Sequence, residues 1–304
     1  MENQILNKIQ ASSLHIQNMK RLYILSIGIF SLTGVFIALY QLFHVGITYL
    51  EISLFFGMFF LTTAFGVEVG FHRYFSHKSF KATRILEILM VIFGSMAGQG
   101  SLIAWVSVHR CHHQYTDEVG DPHSPHLHGD SFFQRLKGVW YAHIGWLMND
   151  KLPNSLVFAK DVLKDSLLLK LNKFYLLWLF LGLLIPTILG GVITQSWIGF
   201  FQGFLWGGVA RLFFSFNTGY LVNSLGHIWG KQDFLNKKDQ SRNNFILGII
   251  TMGGGWHNNH HKFPHCASNT IKWWQFDLCY GIIFTLKVMG LAWDIKLPSL
   301  SISK

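Results

Sequence analysis

Histidine is the residue type that stands out. The chain of 304 residues has 16 His, against 15 Asp and Glu together. Three groups of them are spaced for chemistry. His72 and His77 bracket HRYFSH, an HxxxxH pair. His109, His112 and His113 form the HxxHH of HRCHH, and His257, His260 and His261 repeat that spacing in HNNHH. On an α-helix, positions i, i+3 and i+4 fall on one side, so each HxxHH is expected to point three imidazoles at one place. Asn223 and His227, at i and i+4, also share a face. A lone HxxH on an apolar helix is more often a satisfied core feature than a ligand pair. Eight boxed imidazoles need a common partner, because burying them unpaired is costly. A metal is that partner. Imidazole suits iron, zinc, copper or nickel, and an all-histidine site leaves the metal charge uncompensated and oxidising. The unboxed His15, His44, His143 and His265 read as ordinary loop, surface or core histidines.

Such a site has to be held by elements, and the charge pattern locates them. Half the residues are hydrophobic and only 13% are charged, with a mean hydropathy of +0.32. Soluble domains carry about twice that charge, and 16% aromatic content excludes a disordered chain. A bilayer core about 30 Å thick takes roughly 20 helical residues to cross. Residues 22–50 and 52–67 contain no Asp, Glu, Lys or Arg, and neither do residues 174–210. The last run is too long for one span. It divides at Gly190-Gly191-Val192-Ile193-Thr194-Gln195, with Pro186 expected to kink the first helix rather than end it. The expectation is an all-α integral membrane protein forming one domain, 1–304. Four transmembrane helices are expected as two hairpins, at about 22–43, 48–70, 174–194 and 197–222, with a cytosolic cap of residues 72–173 and 223–304.

The far loops of both hairpins lack Lys and Arg, so the positive-inside rule puts both termini and the cap in the cytoplasm. That also accounts for the net charge of +10 without nucleic acid. The three cysteines, Cys111, Cys266 and Cys279, form no CxxC pair and read as reduced thiols. The first apolar run is too long for a signal-peptide core and reads as a retained anchor. Residues 271–293 mix Lys272, Asp277 and Lys287 with apolar side chains, as an interfacial helix would, with Trp273 and Trp274 at headgroup level.

Residues 85–108 carry a single acid, Glu87, and by hydropathy alone would be a fifth crossing. A crossing there would leave His109, His112 and His113 on the opposite side from His72 and His77. A re-entrant or interfacial segment at 85–106 keeps the boxes together, and Gly94, Gly98 and Gly100 supply the backbone freedom.

The boxes HRYFSH, HRCHH and GGGWHNNHH, with NSLGH at 223–227, closely resemble those of the membrane fatty-acid desaturases of the delta-9 type. The likeness continues through GDPHSP at 120–125, HIGW at 143–146 and WWQFD at 273–277, and covers about residues 45–298. The resemblance implies a di-iron centre on nine histidines: His72, His77, His109, His112, His113, His227, His257, His260 and His261. Asn223 matches an asparagine that reaches one iron through water. It also implies a mushroom of four helices with a bent, apolar acyl tunnel. Two positions depart from the pattern. Gly254 stands where glutamate is common, and Glu68 falls one turn before His72. Glu68 either hydrogen-bonds His72 or sits at the water boundary, and an acid at that depth is costly enough to suggest a function. His126 and His128 read as loop residues near the entrance rather than extra ligands.

Removing hydrogen from an unactivated methylene is beyond acid–base side chains, which is why a metal–oxygen oxidant is required. The expected reaction takes O2 and two electrons and leaves a cis double bond, by resemblance at position nine of a saturated chain carried on CoA or a membrane lipid. No spare soluble segment is present, so a separate donor of ferredoxin, rubredoxin or cytochrome b5 type is expected. The membrane would be the bacterial inner membrane, or the endoplasmic reticulum in a eukaryote. Arg73, Lys78, Lys81, Arg110, Arg135 and Lys137 are candidates for greeting a phosphate head group or an acidic donor. The alternatives are a histidine-box hydroxylase of fatty acids or alkanes and, in a different class, a zinc transporter or sensor.

Overall fold

The computed structural model describes residues 9–11 and 14–299. Helix α1 (Leu14–His44) is 31 residues long, and Tyr49–Ser76 forms α2. Thr48 and Glu51 close a reciprocal capping box at the start of α2. Helices α3 (Arg84–Met96), α4 (Leu102–Tyr115), α5 (Phe132–His143) and α6 (Ser166–Lys173) follow. Next come α7 (Tyr175–Thr194) and α8 (197–224). Helices α9 (Phe245–Ile250), α10 (His257–Lys262) and α11 (Leu278–Val288) complete the chain. Among the described residues, three helices are long and apolar enough to cross a membrane: Gln17–His44, Tyr49–Ser76 and Tyr175–Thr194. Pro186 lies inside α7, which continues past it. The fourth expected span coincides with α8, whose middle section, Gly203–Ala210, widens into π-helix between two α-helical ends.

Residues 85–108 fall on α3 and α4, which meet at a turn over 97–101. With 13 and 14 residues, neither helix reaches the roughly 20 needed to cross. The turn requires left-handed backbone at Gly98 (φ +78°) and Gly100 (φ +112°), which glycine adopts without a steric penalty. Helix α3 lies tightly on α2: a Cβ on Gly66 would come within 2.2 Å of the Gly94 backbone nitrogen. That close crossing brings the end of α2 beside α4. The main core forms there, around the fully buried Phe71, Met90, Leu102, Val106 and Ile283. Strands β1 (Ile9–Ala11), β2 (Lys81–Ala82), β3 (Lys151–Pro153) and β4 (Ala292–Trp293) pair antiparallel, β1 with β3 and β2 with β4.

The C-terminal helix is shorter than the expected 271–293. It begins at Leu278 because Asp277 caps it, accepting from the Tyr280 N–H. Arg73 holds that carboxylate bidentately at 2.8 and 3.0 Å, so residues before it follow the core and not a helix axis. Trp273 nevertheless remains 96% exposed.

Candidate metal centre

The latter part of α2, Phe60–Ser76, is π-helix, and its end carries HRYFSH. In an α-helix residues five apart point about 140° away from each other. In a π-helix, with i→i+5 hydrogen bonds, they fall on the same side. The His77 N–H donates to His72 O at 3.1 Å in this pattern, and the two imidazoles come within 5.0 Å, centroid to centroid. The HxxxxH spacing is thus matched to the π geometry of the helix that bears it.

The eight boxed histidines and His227 converge in two groups, each with ligand nitrogens all within 4.8 Å of one another. His72, His77, His109, His113 and His260 form one, and His112, His227, His257 and His261 the other. Each HxxHH was expected to aim at one place. Instead each straddles both groups. On a helix i and i+4 nearly eclipse, while i+3 points about 100° away from i+4. His109 and His113 therefore enter the five-histidine group and His112 the other. In α10, His257 and His261 enter the four-histidine group and His260 the first.

The separations fit metal ligation. Two imidazole nitrogens at right angles on a metal, with bonds of about 2.1 Å, lie about 3 Å apart. Nε2–Nε2 distances are 3.1 Å for His72–His260, 3.0 Å for His260–His113 and 3.0 Å for His227–His257. His112–His261 is 3.4 Å and His77–His109 is 2.6 Å. Burial, reinforced by the neighbouring imidazoles, pushes His77, His109, His113, His257, His260 and His261 well below the ordinary range. They are neutral, with lone pairs available, as ligation requires.

Carboxylates stand behind four of the rings. His72 Nδ1 meets Glu68 Oε2 at 3.2 Å, and His112 Nδ1 meets both oxygens of Asp121 at 3.0 Å. His227 Nδ1 meets Asp117 Oδ2 at 2.9 Å, and His261 Nδ1 meets Asp239 Oδ2 at 2.9 Å. Each contact puts the ring proton on Nδ1 and leaves Nε2 to bind metal. Burial opposes ionisation of Asp117, but His227, Ser124 and the Gln240 N–H together hold its carboxyl well below the carboxylate range. Asp121 is likewise held down by His112 and His123 against its burial. Glu68 thus takes the orienting role of its two possible ones. Sequence reasoning missed Asp117, Asp121 and Asp239. Only the first two offered a hint, standing five and nine residues after His112.

A cavity of about 510 Å³ opens beside the centre. Its wall is mainly apolar, from Tyr23 and Ile27 on α1, Ala104, Trp105 and Val108 on α4, and Phe213 and Phe216 on α8. His109 and Asn223 both line it, so the cavity reaches the five-histidine group. Asn223 lies in this wall, outside the two nitrogen groups. His123, also in the wall, stacks on His112 at 4.3 Å. His126 and His128 join neither group; His126 Nε2 instead lies 3.1 Å from His227 O. Two of the residues expected on a basic rim do other work. Arg73 is buried on Asp277, and Arg110 binds Asp161 and the carbonyls of Phe75, Ser76 and Phe158. Arg110 thereby anchors α4 to the end of α2.

A helical membrane protein whose boxed histidines meet in a buried centre able to hold metal, beside an apolar cavity, defines a class of lipid-modifying metalloenzyme. The Fatty acid desaturase family model matches residues 50–286, and the chain belongs to that family. It is 43% identical over 287 residues to the hex-5-enoyl-[acyl-carrier protein] acetylenase of Moorena producens (strain JHB), covering 94% of this chain and 89% of that one. It is 36% identical over 248 residues to an acyl-CoA C20 Delta5-desaturase of Anemone leveillei (80% and 73% covered). It is 35% identical over 243 residues to the sn-1 stearoyl-lipid 9-desaturase of Synechocystis sp. (strain ATCC 27184 / PCC 6803 / Kazusa) (79% and 70% covered).

Proposed function

We propose that the protein is an O2-dependent acyl desaturase that forms a cis double bond at position nine of a saturated chain on CoA or a membrane lipid. The observation that carries this reading is the meeting of the eight boxed histidines and His227, in two groups, at a cavity shaped by apolar side chains. Two irons would fit the groups: His72, His77, His109, His113 and His260 would hold one, and His112, His227, His257 and His261 the other, with Asn223 in the adjoining cavity wall as a further ligand through water, as the resemblance implies. When bound, the irons supply with O2 an oxidant able to take hydrogen from an unactivated methylene. Overall, –CH2–CH2– plus O2, two electrons and two protons give –CH=CH– and two waters.

The protein's part is positional. The wall formed by Ala104, Trp105, Val108, Phe213 and Phe216 excludes water and lays one pair of methylenes beside His109. Trp105 stacks on His109 at 5.0 Å and fixes that ring's plane. Glu68, Asp117, Asp121 and Asp239 hold the Nδ1 protons of their histidines, so the rings cannot rotate away. Electrons come from a separate ferredoxin, rubredoxin or cytochrome b5. Helix α8 serves as the fourth span, with both termini and the histidine end in the cytoplasm.

One relative supports a second reading. The acetylenase is similar along nearly the whole chain and by name acts on a hexenoyl group on acyl carrier protein. The same removal of two hydrogens, applied to a terminal alkene, would give an alkyne. Membranes bearing the protein, with reductant and O2, are given octadecanoyl-CoA, an octadecanoyl glycerolipid and hex-5-enoyl-acyl carrier protein. Gas chromatography of the products decides. A 9-cis product on either long-chain carrier supports the first reading and a terminal alkyne the second; hydroxylated products alone sink both. Two irons per chain are expected, and a protein that takes up zinc across the membrane without oxidising any acyl chain is the transporter instead.

A further inference from the structure

Arg211 lies in the middle of α8, fully buried, and no carboxylate pairs with it among the described residues. A cation at such a depth is costly unless its donors are used. All three of its nitrogens are used, and each goes to a backbone carbonyl. Nη2 donates to Gly182 O at 2.9 Å. That oxygen lies four residues before Pro186, whose missing N–H would otherwise have been its helical partner. Nη1 donates to Met96 O at 2.8 Å, the last carbonyl of α3, where the helix ends. Nε donates to Gly207 O at 3.2 Å. The backbone N–H of Arg211 passes over that carbonyl, bonding Trp206 O and Gly208 O where π-helix returns to α-helix. One guanidinium thus serves a proline kink, a helix end and a change of helix type.

One of these carbonyls, Met96 O, stands at the entry to the turn 97–101. Arg211 fixes its entry at Met96. The Gln99 side chain donates to Ser215 O at 2.6 Å, one turn further along α8, and the Gly100 N–H donates to Tyr175 Oη at 3.2 Å. Gly98, Gln99 and Gly100 line the apolar cavity, and α4 starts immediately after them and carries His109, His112 and His113. We propose that Arg211 is a positioning residue that sets the turn 97–101, and with it the register between the cavity and the histidine groups. It selects which pair of carbons is oxidised without touching substrate or metal. The product readout of this idea rests on the desaturase reading above.

The test uses the full chain in membranes and in detergent, with R211M, R211K, P186A and the double variant P186A/R211M. Alanine at 186 restores an N–H for Gly182 O, so P186A should recover part of the melting temperature lost in R211M while changing the wild type little. Misplacement of about 1 Å costs up to about 100-fold in rate, so in R211M the ratio of neighbouring double-bond positions should shift by about tenfold. Partial misfolding lowers yield without moving that ratio. R211K, which keeps the charge but not the three-pronged reach, should shift the ratio in the same direction. Additive melting effects of P186A and R211M, or R211M or R211K giving the wild-type ratio, overturn the proposal. If R211M does not fold, R211K alone decides. If the wild type forms no oxidised acyl product, the desaturase reading fails and the melting cycle still judges Arg211.

Discussion

Asp117 offers a clean way to separate the two histidine groups. Its Oδ2 accepts from His227 Nδ1 and from the Gln240 N–H, both at 2.9 Å, and its Oδ1 from Ser124 Oγ at 2.6 Å. The carboxylate is 2% exposed, so solvent does not screen it. Asp117 sits in left-handed backbone (φ 56°), which asparagine tolerates and alanine does not. In Asp117→Asn the amide oxygen can take the place of Oδ2 and keep both N–H donors, while the amide N–H faces Ser124, whose hydroxyl turns to accept. Shape and hydrogen-bond count survive, and only the charge is lost. A hydrogen bond to a charged group contributes about 1.5–3 kcal/mol and a neutral one about 0.5–1.5, so the His227 contact weakens by roughly 1.5 kcal/mol. Removing such a partner of a ligating histidine typically costs about 10–100-fold in metal affinity. The assay titrates the metal-loaded protein with a chelator and counts the metal retained per chain. One ion, that of the four-histidine group, should leave at about tenfold or more lower chelator, and the other as in the wild type. Two ions held with wild-type affinity, or both weakened equally at an unchanged melting temperature, would refute the assignment of Asp117 to His227's metal.

Further outcomes follow from the same geometry. His112→Ala and His113→Ala, though adjacent, should each lose a different ion, leave about one per chain and abolish oxidised product while the protein stays in the membrane. Retained product with either would remove that histidine from the ligand set. Asp277→Asn leaves Arg73 buried without its counterion, a change that costs about 3–5 kcal/mol, so its melting temperature in detergent should fall sharply; wild-type melting would contradict the pairing. Burial raises the Asp161 carboxyl, but the guanidinium of Arg110 and the ammonium of Lys78 outweigh it and hold it far below 3.8. A depressed folded value means its stabilisation is present above that unfolded value and fades as pH drops below it. Thermal stability should therefore fall below about pH 4, and Asp161→Asn should flatten that part of the profile; an unchanged profile argues against the contact.

The histidine boxes were legible because chemistry limits what so many imidazoles in an apolar chain can do. Their division into two groups was not. The spacing of HxxHH says that three rings share a side of a helix, but the angle between i+3 and i+4 matters only once a second helix faces them. Nor did the sequence announce the π-helix over Phe60–Ser76, since the HxxxxH spacing that suits it does not by itself specify i→i+5 hydrogen bonds. The hydropathy of 85–108 read as a crossing, and only the need to keep His109 with His72 argued otherwise. Arg73 and Arg110 looked like surface charges because their partners, Asp277 and Asp161, are 204 and 51 residues away. Long-range ion pairs of that kind leave no local trace.

An all-histidine ligand set suggests a centre that leaves the metal charge uncompensated. The structure separates ligand identity from charge. Burial and neighbouring imidazoles hold six of the nine rings neutral, and Glu68, Asp117, Asp121 and Asp239 each hydrogen-bond one ring of the centre from behind. Four carboxylates, if all ionised, would balance a pair of divalent ions in a buried site, where an uncompensated charge is expensive. Their distribution is uneven. One lies behind the five-histidine group and three behind the four-histidine group, so an ion held by fewer nitrogens would have more carboxylates around it. A hydrogen-bonded carboxylate makes its imidazole a better donor. The two metal positions should therefore be matched in total donation although their ligand counts differ, and the imbalance in histidines is compensated from behind the rings.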